Sequence, residues 1–467
     1  MKLNKNDCLK LSITDITNLG FGVARHDGAV IFISSAVPGD EVMAKIIKVT
    51  KSYAVARVEE YLKKSESRTE ERCPIKACTS CAYKHINYEC ELEMKRRSVA
   101  GTFKKAGLDE ITVAPIIGSV ETSHYRNKAQ YPISRGPSGK CVIGFYAPKT
   151  HRVTEAARCP MAPAEFSSIL ETVREFADER EISVYDEESG KGLLRHVYLR
   201  LAETTSEILL TLVINGDALP FSDEFCRIIK ERHPEVVGVL LNKNTEVTNI
   251  VLGKEFKTLF GIDYITDTLA GVKLKITAPS FYQVNRKCTE VLYGKARELA
   301  RLTKDDTLLD LYCGAGSIGL SMAADVKELI GIEIVDSAVE CAKFNAEQNG
   351  ISNAKFFTAD AADTEKMLNR AEAELGRKIL PSVVILDPPR AGCDEVLIKY
   401  ISSLSPRRIV YISCNPTTLA RDIVEFKKFG YYTDEVTPVD MFPGTGHVES
   451  VVCLTRRLDN ELRERMN

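Results

Sequence analysis

Through its first sixty or so residues the chain alternates apolar and polar positions in short runs: LSITDI, AVIFIS, EVMAKIIKV and YAVARVEEY. Alternation with a period of two predicts half-buried strands. Gly20, Gly22, Gly28, Pro38 and Gly39 fall between the runs as turn residues. Several short strands at this spacing predict a small OB-type β-barrel over 1–62. The charged run at 63–72, KKSESRTEER, reads as a linker. A helical period follows from about 91 to 107 and carries Lys95, Arg96 and Arg97.

Between about 120 and 272, strand-like runs (CVIGFYA, LLRHVYLRLA, EILLTLVI) alternate with helical ones (AEFSSILETVREFA, DEFCRIIKERH). This predicts an α+β domain. From about 275 the order becomes β-α-β-α at crossover spacing, which predicts a doubly wound, mostly parallel sheet. The chain is thus read as multidomain α/β. A barrel spans 1–62. A central α+β domain takes 63–90 and 120–272. A doubly wound domain takes 91–119 and 273–467.

Composition narrows the class. The chain has 467 residues, 44% hydrophobic and 27% charged, which suits a folded chain with more than one core. No run of about 18 apolar residues suggests a transmembrane helix, and no membrane partner is expected. The N-terminal run MKLNKNDCLKLSITDI has no apolar export signal, so a cytoplasmic protein is expected. The net charge of −2 excludes a uniformly basic coat but not local basic patches. Fourteen cysteines in such a chain read as core filler, metal ligands or nucleophiles rather than a disulfide scaffold.

Five motifs carry chemistry. Asp310-Leu-Tyr-Cys-Gly-Ala-Gly316 closes one strand and opens a helix, with Glu333 ending the next strand. The glycines let a ligand approach the backbone and the acid suits ribose hydroxyls, so a nucleotide-like cofactor fits, nicotinamide included. Asp387-Pro-Pro-Arg-Ala-Gly392 presents Asp387 where prolines stop a strand. In Ile412-Ser-Cys-Asn-Pro416, Cys414 sits at a strand end as a candidate nucleophile. In Met441-Phe-Pro-Gly-Thr-Gly-His-Val-Glu449, Glu449 is a candidate base. Finally, Cys73, Cys78 and Cys81, with Cys159 farther on, have iron–sulfur spacing, with zinc as the rival and Cys90 as a poorer ligand.

DLYCGAG, DPPRAG, SCNP and FPGTGHVE, in that order on a doubly wound domain, resemble the S-adenosylmethionine-dependent RNA uracil-5-methyltransferases. The N-terminal barrel looks like that family's TRAM domain, and the cysteine set resembles the [4Fe-4S] site of its 23S ribosomal RNA branch. The resemblance implies a class I methyltransferase domain with S-adenosylmethionine bound by Gln283, Tyr312, Gly314, Gly316, Glu333, Asp360 and Asp387. It implies Cys414 as nucleophile towards uracil C6 and Glu449 as base. It also implies cluster ligation by Cys73, Cys78, Cys81 and Cys159, although the first spacing is one residue shorter than the family's usual one. The expected partner is RNA, 23S rRNA or its precursor, with no obligate protein partner. The same chemistry on tRNA, an N-methyltransferase and a non-catalytic RNA-binding assembly factor are the rivals. Arg96, Arg97, Arg126, Lys128, Arg195 and His196, with Lys95 and Arg200, are candidate RNA contacts. The distance in sequence between the cysteines and the catalytic motifs points to a cluster that shapes the central domain and presents the RNA surface.

Overall fold

The N-terminal runs form the strands their alternation predicts. In the computed structural model, which describes residues 3–456 apart from 71–72, 76–77, 149 and 360–363, they make a six-stranded sheet over Cys8–Ser12 to Tyr53–Lys63. Leu11, Ala24, Ile31, Ile33, Val42, Ala44, Ile46 and Ala56 point to one side and bury together as its core. The segment after the last strand is not a free linker. Arg68 folds back and donates to Asp40 Oδ2 at 2.6 Å. Asp40 also accepts the N–H groups of Val37 and Ser65.

Burial alone pushes the Asp40 carboxyl up, but Arg68 and the two N–H donors outweigh it and hold the group below its ordinary value. Replacing Arg68 by methionine leaves a buried carboxylate without its cation and is expected to cost about 3 kcal/mol. A depressed carboxylate stabilises the fold fully above the unfolded value near 4 and loses that contribution as pH falls through the folded one. Urea unfolding is therefore expected to show a wide gap between wild type and Arg68→Met at pH 7 and a narrower one at pH 3.

The middle of the chain builds a seven-stranded sheet in the order Val153–Glu155, Cys141–Tyr146, Lys128–Arg135, Leu194–Ala202, Glu207–Ile214, Val236–Lys243 and Glu255–Gly261. Pairing is antiparallel except between Glu207–Ile214 and Val236–Lys243. Helices Ala164–Glu179 and Ser222–Arg232 cover one face through Phe166, Ile169, Phe176, Phe225 and Ile229. The opposite face meets the hairpin of Tyr264–Leu269 and Val272–Thr277 through Tyr198, Leu209 and Leu240.

The last sheet is nine-stranded among the described residues. Its parallel part runs Ala354–Thr358, Glu328–Glu333, Thr307–Leu311, Val383–Leu386, Arg408–Ser413. Glu449–Arg456 and Glu435–Val439 add antiparallel, and Thr112–Val113 from far upstream joins the edge. Apolar cores lie on both faces, as a parallel sheet covered by helices requires. The helix foreseen over 91–107 spans Tyr88–Lys105, capped by Asn87. No helix among the described residues is long and apolar enough to cross a membrane.

Candidate active site

Strand Thr307–Leu311 lies between Glu328–Glu333 and Val383–Leu386, so its neighbours are reached by crossovers in opposite directions. This opens a crevice at the strands' carboxyl ends. The chain leaves the strand in a strained turn, with φ of 63° at Tyr312, 53° at Gly314 and 80° at Gly316. A left-handed tyrosine is costly and marks a site the surroundings hold in place. A Cβ added at Gly314 would meet nothing within 4 Å, so this backbone borders open space. Glu333 accepts the Gly314 N–H through Oε2 and the Val335 N–H through Oε1, both at 3.0 Å.

Beneath the turn Asp310 is fully buried. One carboxylate oxygen accepts the Gly319 N–H at 2.9 Å, while the other has no partner among the described residues. Burial pushes its carboxyl up to about 7. Gln283 is half-buried, and its main-chain carbonyl accepts from Asn127 Nδ2 at 3.0 Å. An open glycine backbone, a fixed acid and an orphaned buried oxygen suit a bound ligand bearing hydroxyls and donors, as S-adenosylmethionine does. Asp360 lies outside the described residues.

One strand over, the turns after Val383–Leu386 and Arg408–Ser413 are stitched together. The Arg390 carbonyl accepts from Asn415 Nδ2 at 3.1 Å and from the Thr418 hydroxyl at 3.3 Å. Asn415 also caps helix Pro416–Lys427. Cys414 is thereby held half-buried beside the Arg390 side chain. Burial raises the Cys414 thiol above its ordinary value, Glu449 and Asp387 push the same way, and Arg390 opposes them by charge and hydrogen bond. Glu449 begins the neighbouring strand and is buried. Burial, then Asp387, raises its carboxyl to about 8, with Arg390 pulling it down. Burial takes Asp387 up to about 7. Two carboxyls, one thiol and one guanidinium thus share a small, poorly solvated space.

Arg390 pulls the Cys414 thiol towards thiolate, a pairing the motifs did not reveal because only the fold sets the two turns side by side. Replacing Arg390 by methionine removes its pull towards thiolate from this group of charges. Alkylation of Cys414 by iodoacetamide is expected to slow at pH 7, with its pH profile displaced to the alkaline side.

Cys73, Cys78, Cys81 and Cys159 line one cavity of about 560 Å³, with Arg126, Tyr125 and His447 on its wall. All four are free thiols. Burial and then the Cys159, Cys78 and Cys73 thiols push the Cys81 thiol up to about 12. A metal group would relieve such crowding, since a coordinating thiol gives up its proton. Among the described residues no three His, Cys, Asp or Glu side chains are grouped closely enough to hold a metal ion. Four thiols are the donor type an all-thiolate metal group takes, and they share the wall of this cavity without closing on one point. Their distance in sequence from the catalytic motifs disappears in the fold. The Tyr83 N–H donates to the Gly444 carbonyl at 2.9 Å, in the loop leading to Glu449. Farther along the loop, a Cβ at Gly446 would lie 1.9 Å from the Asn18 carbonyl, in the turn between strands Asp15–Ile16 and Gly22–His26. Three parts of the chain therefore meet at this loop.

Several expected RNA contacts are placed elsewhere. Arg195 and His196 are buried. Arg195 donates to the Asn244 and Glu246 carbonyls and stacks on Tyr185. Burial and then Arg195 lower His196 to about 4, so it is neutral near pH 7. Neither reaches the surface, because their strand is covered on both faces. Arg200 is likewise buried, donating to the Ala278 and Ser280 carbonyls, and Lys95 is 1% exposed. Arg96 and Arg97 are accessible and share Glu93. Arg126 and Lys128 are half-buried near the cysteine cavity and the central sheet.

With this geometry in place, known proteins can be set beside it. A family model described as tRNA (uracil-5-)-methyltransferase matches residues 87–457, and one described as TRAM domain matches 4–58. An uncharacterised RNA methyltransferase of Halalkalibacterium halodurans is 40% identical over 454 residues, covering 97% of this chain and 98% of the relative. One of Clostridium acetobutylicum is 38% identical over 458 residues, with the same coverage. Among solved structures, the Pyrococcus abyssi tRNA (uracil-54, C5)-methyltransferase in complex with S-adenosyl-L-homocysteine superposes with a TM-score of 0.76 at 26% identity, covering 96% of this chain and 100% of that one. The glycine turn, the paired strand-end motifs and these matches agree: the chain belongs to the tRNA (uracil-5-)-methyltransferase family of S-adenosylmethionine-dependent RNA methyltransferases and carries a TRAM domain at its N-terminal end.

Proposed function

We propose that this protein methylates C5 of a uridine in 23S rRNA or its precursor, with Cys414 as nucleophile and Glu449 as base. The observation that carries the reaction is the shared electrostatic environment of Cys414, Glu449, Asp387 and Arg390 at one end of the sheet. The Cys414 thiol loses its proton to solvent and Arg390 stabilises the thiolate. The thiolate sulfur bonds to uracil C6, and the displaced electron pair makes C5 nucleophilic. S-adenosylmethionine, when bound against Glu333, Gly314 and Gln283, supplies a methyl group on a positively charged sulfur. Once C5 holds both methyl and hydrogen, Glu449 takes the C5 proton, the C5–C6 double bond re-forms and the C6–S bond breaks. A base reaching Cys414 must leave its stack, which loops and bulges in RNA allow more cheaply than a continuous duplex.

The ribosomal substrate rests on the cysteine set. Cys73, Cys78, Cys81 and Cys159 would hold a [4Fe-4S] cluster beside the catalytic loop, with Arg126, Lys128, Arg96 and Arg97 as RNA contacts. The cluster would supply a rigid thiolate-held anchor, and the methylation itself calls on no electron from it. A second reading keeps the chemistry and changes the RNA, because the Pyrococcus abyssi neighbour is a tRNA methyltransferase. Offering equal unmodified 23S rRNA and tRNA transcripts with methyl-labelled cofactor separates the two. Label on 23S rRNA is expected, and label on tRNA alone would give the second reading the substrate.

A further inference from the structure

The hairpin that delivers Glu449 is held by a buried charge cluster that the reaction scheme leaves unused. Val439, the last residue of its strand, pairs directly with Glu449, and residues 440–448 connect them. Lys95 enters this connection from helix Tyr88–Lys105. Its ammonium donates to Glu91 Oε1 at 2.7 Å, to Asp440 Oδ1 at 2.6 Å and to the Phe442 carbonyl at 3.1 Å. All three ammonium hydrogens are thereby used. Glu91 Oε1 also accepts the Gly444 N–H at 2.7 Å, and Asp440 Oδ2 accepts from the Tyr88 hydroxyl at 2.9 Å. The Lys95 and Asp440 side chains are 1% and 0% exposed.

Burying two carboxylates around one ammonium is an expensive way to hold a loop, and well-packed apolar side chains would often do it at least as well. What charges add is direction: Lys95 holds the Phe442 carbonyl, Asp440 Oδ1 accepts the Phe442 N–H at 3.2 Å, and Glu91 accepts the Gly444 N–H. The backbone at residues 442 and 444 is aimed this way, and the Tyr125 hydroxyl fixes the Pro443 carbonyl at 3.0 Å. We propose that Lys95, with Glu91 and Asp440, is a positioning unit that sets the Glu449 carboxylate for removal of the C5 proton. This rests on the reaction proposed above.

The consequence concerns one step. Thiolate addition and methyl transfer depend on Cys414 and the cofactor crevice, which the cluster does not touch. The C6–S bond breaks only as the C5 proton passes to Glu449 and its electron pair re-forms the double bond. A displaced Glu449 therefore leaves methylated RNA bound covalently to Cys414.

The test uses RNA carrying tritium at uridine C5 and methyl-labelled S-adenosylmethionine. Methyl transfer, tritium release and denaturant-resistant RNA–protein adduct are followed together in wild type, Lys95→Met, Glu91→Gln with Lys95→Met, and Tyr88→Phe. The double variant removes one uncompensated buried charge, and Tyr88→Phe removes a single hydroxyl, so folding loss in Lys95→Met does not decide the matter. Tritium release is expected to lag methyl transfer by roughly tenfold or more in the lysine variants, with methylated adduct accumulating, and by about twofold in Tyr88→Phe. Folded variants in which methyl transfer and tritium release stay in step, without adduct, would overturn the positioning role. Wild-type protein that transfers methyl without releasing tritium would overturn the reaction itself, and the positioning role with it.

Discussion

Replacing Cys414 by alanine is expected to end turnover, lowering kcat by on the order of 10⁴-fold or more. Uracil C5 is too weak a nucleophile to take a methyl group unaided, and the thiolate bond at C6 is what makes it reactive. The loss should be specific. Cys414 sits at the end of strand Arg408–Ser413, and the cofactor crevice two strands away is built from Asp310, Gly314 and Glu333. Binding of S-adenosylhomocysteine, measured by calorimetry, is therefore expected to stay within about twofold of wild type, since Glu333 and Gly314 are held by each other and not by Cys414. Denaturant-resistant RNA adduct should be absent at every time point.

Replacing Glu449 by glutamine is expected to give the second-largest effect and the opposite signature. Turnover should fall about 10²- to 10⁴-fold, the usual contribution of a positioned base. Adduct should accumulate, because addition and methyl transfer precede the step that needs the carboxylate. Stability should move the other way. Burial holds the Glu449 carboxyl at about 8, whereas an unfolded chain holds it near 4.3. Between those values the folded protein binds the proton that the unfolded chain has released, so rising pH works against the fold. Glutamine removes that penalty. The melting temperature of Glu449→Gln is expected to exceed that of wild type, by a margin that widens from pH 5 to pH 8 and then levels off. The proton-abstraction step in wild type should quicken over the same range as Glu449 ionises.

The gathering of the strand-end motifs at one end of the sheet was legible because their signals are local. DLYCGAG, DPPRAG and SCNP each pack a strand end, a turn and a chemical group into a few residues, and a doubly wound sheet gathers strand ends without further information. Burial of long polar side chains was not legible. Lys95 reads as one of a row of basic residues on an exposed helix, yet its carboxylate partner Asp440 lies 345 residues away in the chain. Arg195 and His196 follow a strand pattern in which a polar residue ordinarily faces water. That strand is covered by helices on one face and by the hairpin Tyr264–Thr277 on the other. The neighbourhood of the cysteines and the Glu449 loop was hidden for the same reason. The Tyr83–Gly444 hydrogen bond joins segments that nothing in either sequence marks as partners.

The central claim is that C5 of uracil is methylated through a Cys414 adduct and then loses its proton to Glu449. Counting tritium released from C5-labelled uridine in unmodified 23S rRNA, per methyl group transferred, tests it most directly. The account predicts one tritium per methyl in wild type, none from Cys414→Ala, and methyl transfer without tritium release on trapped RNA in Glu449→Gln. Methyl transfer with the C5 tritium retained in released product would place the methyl on another atom and contradict it.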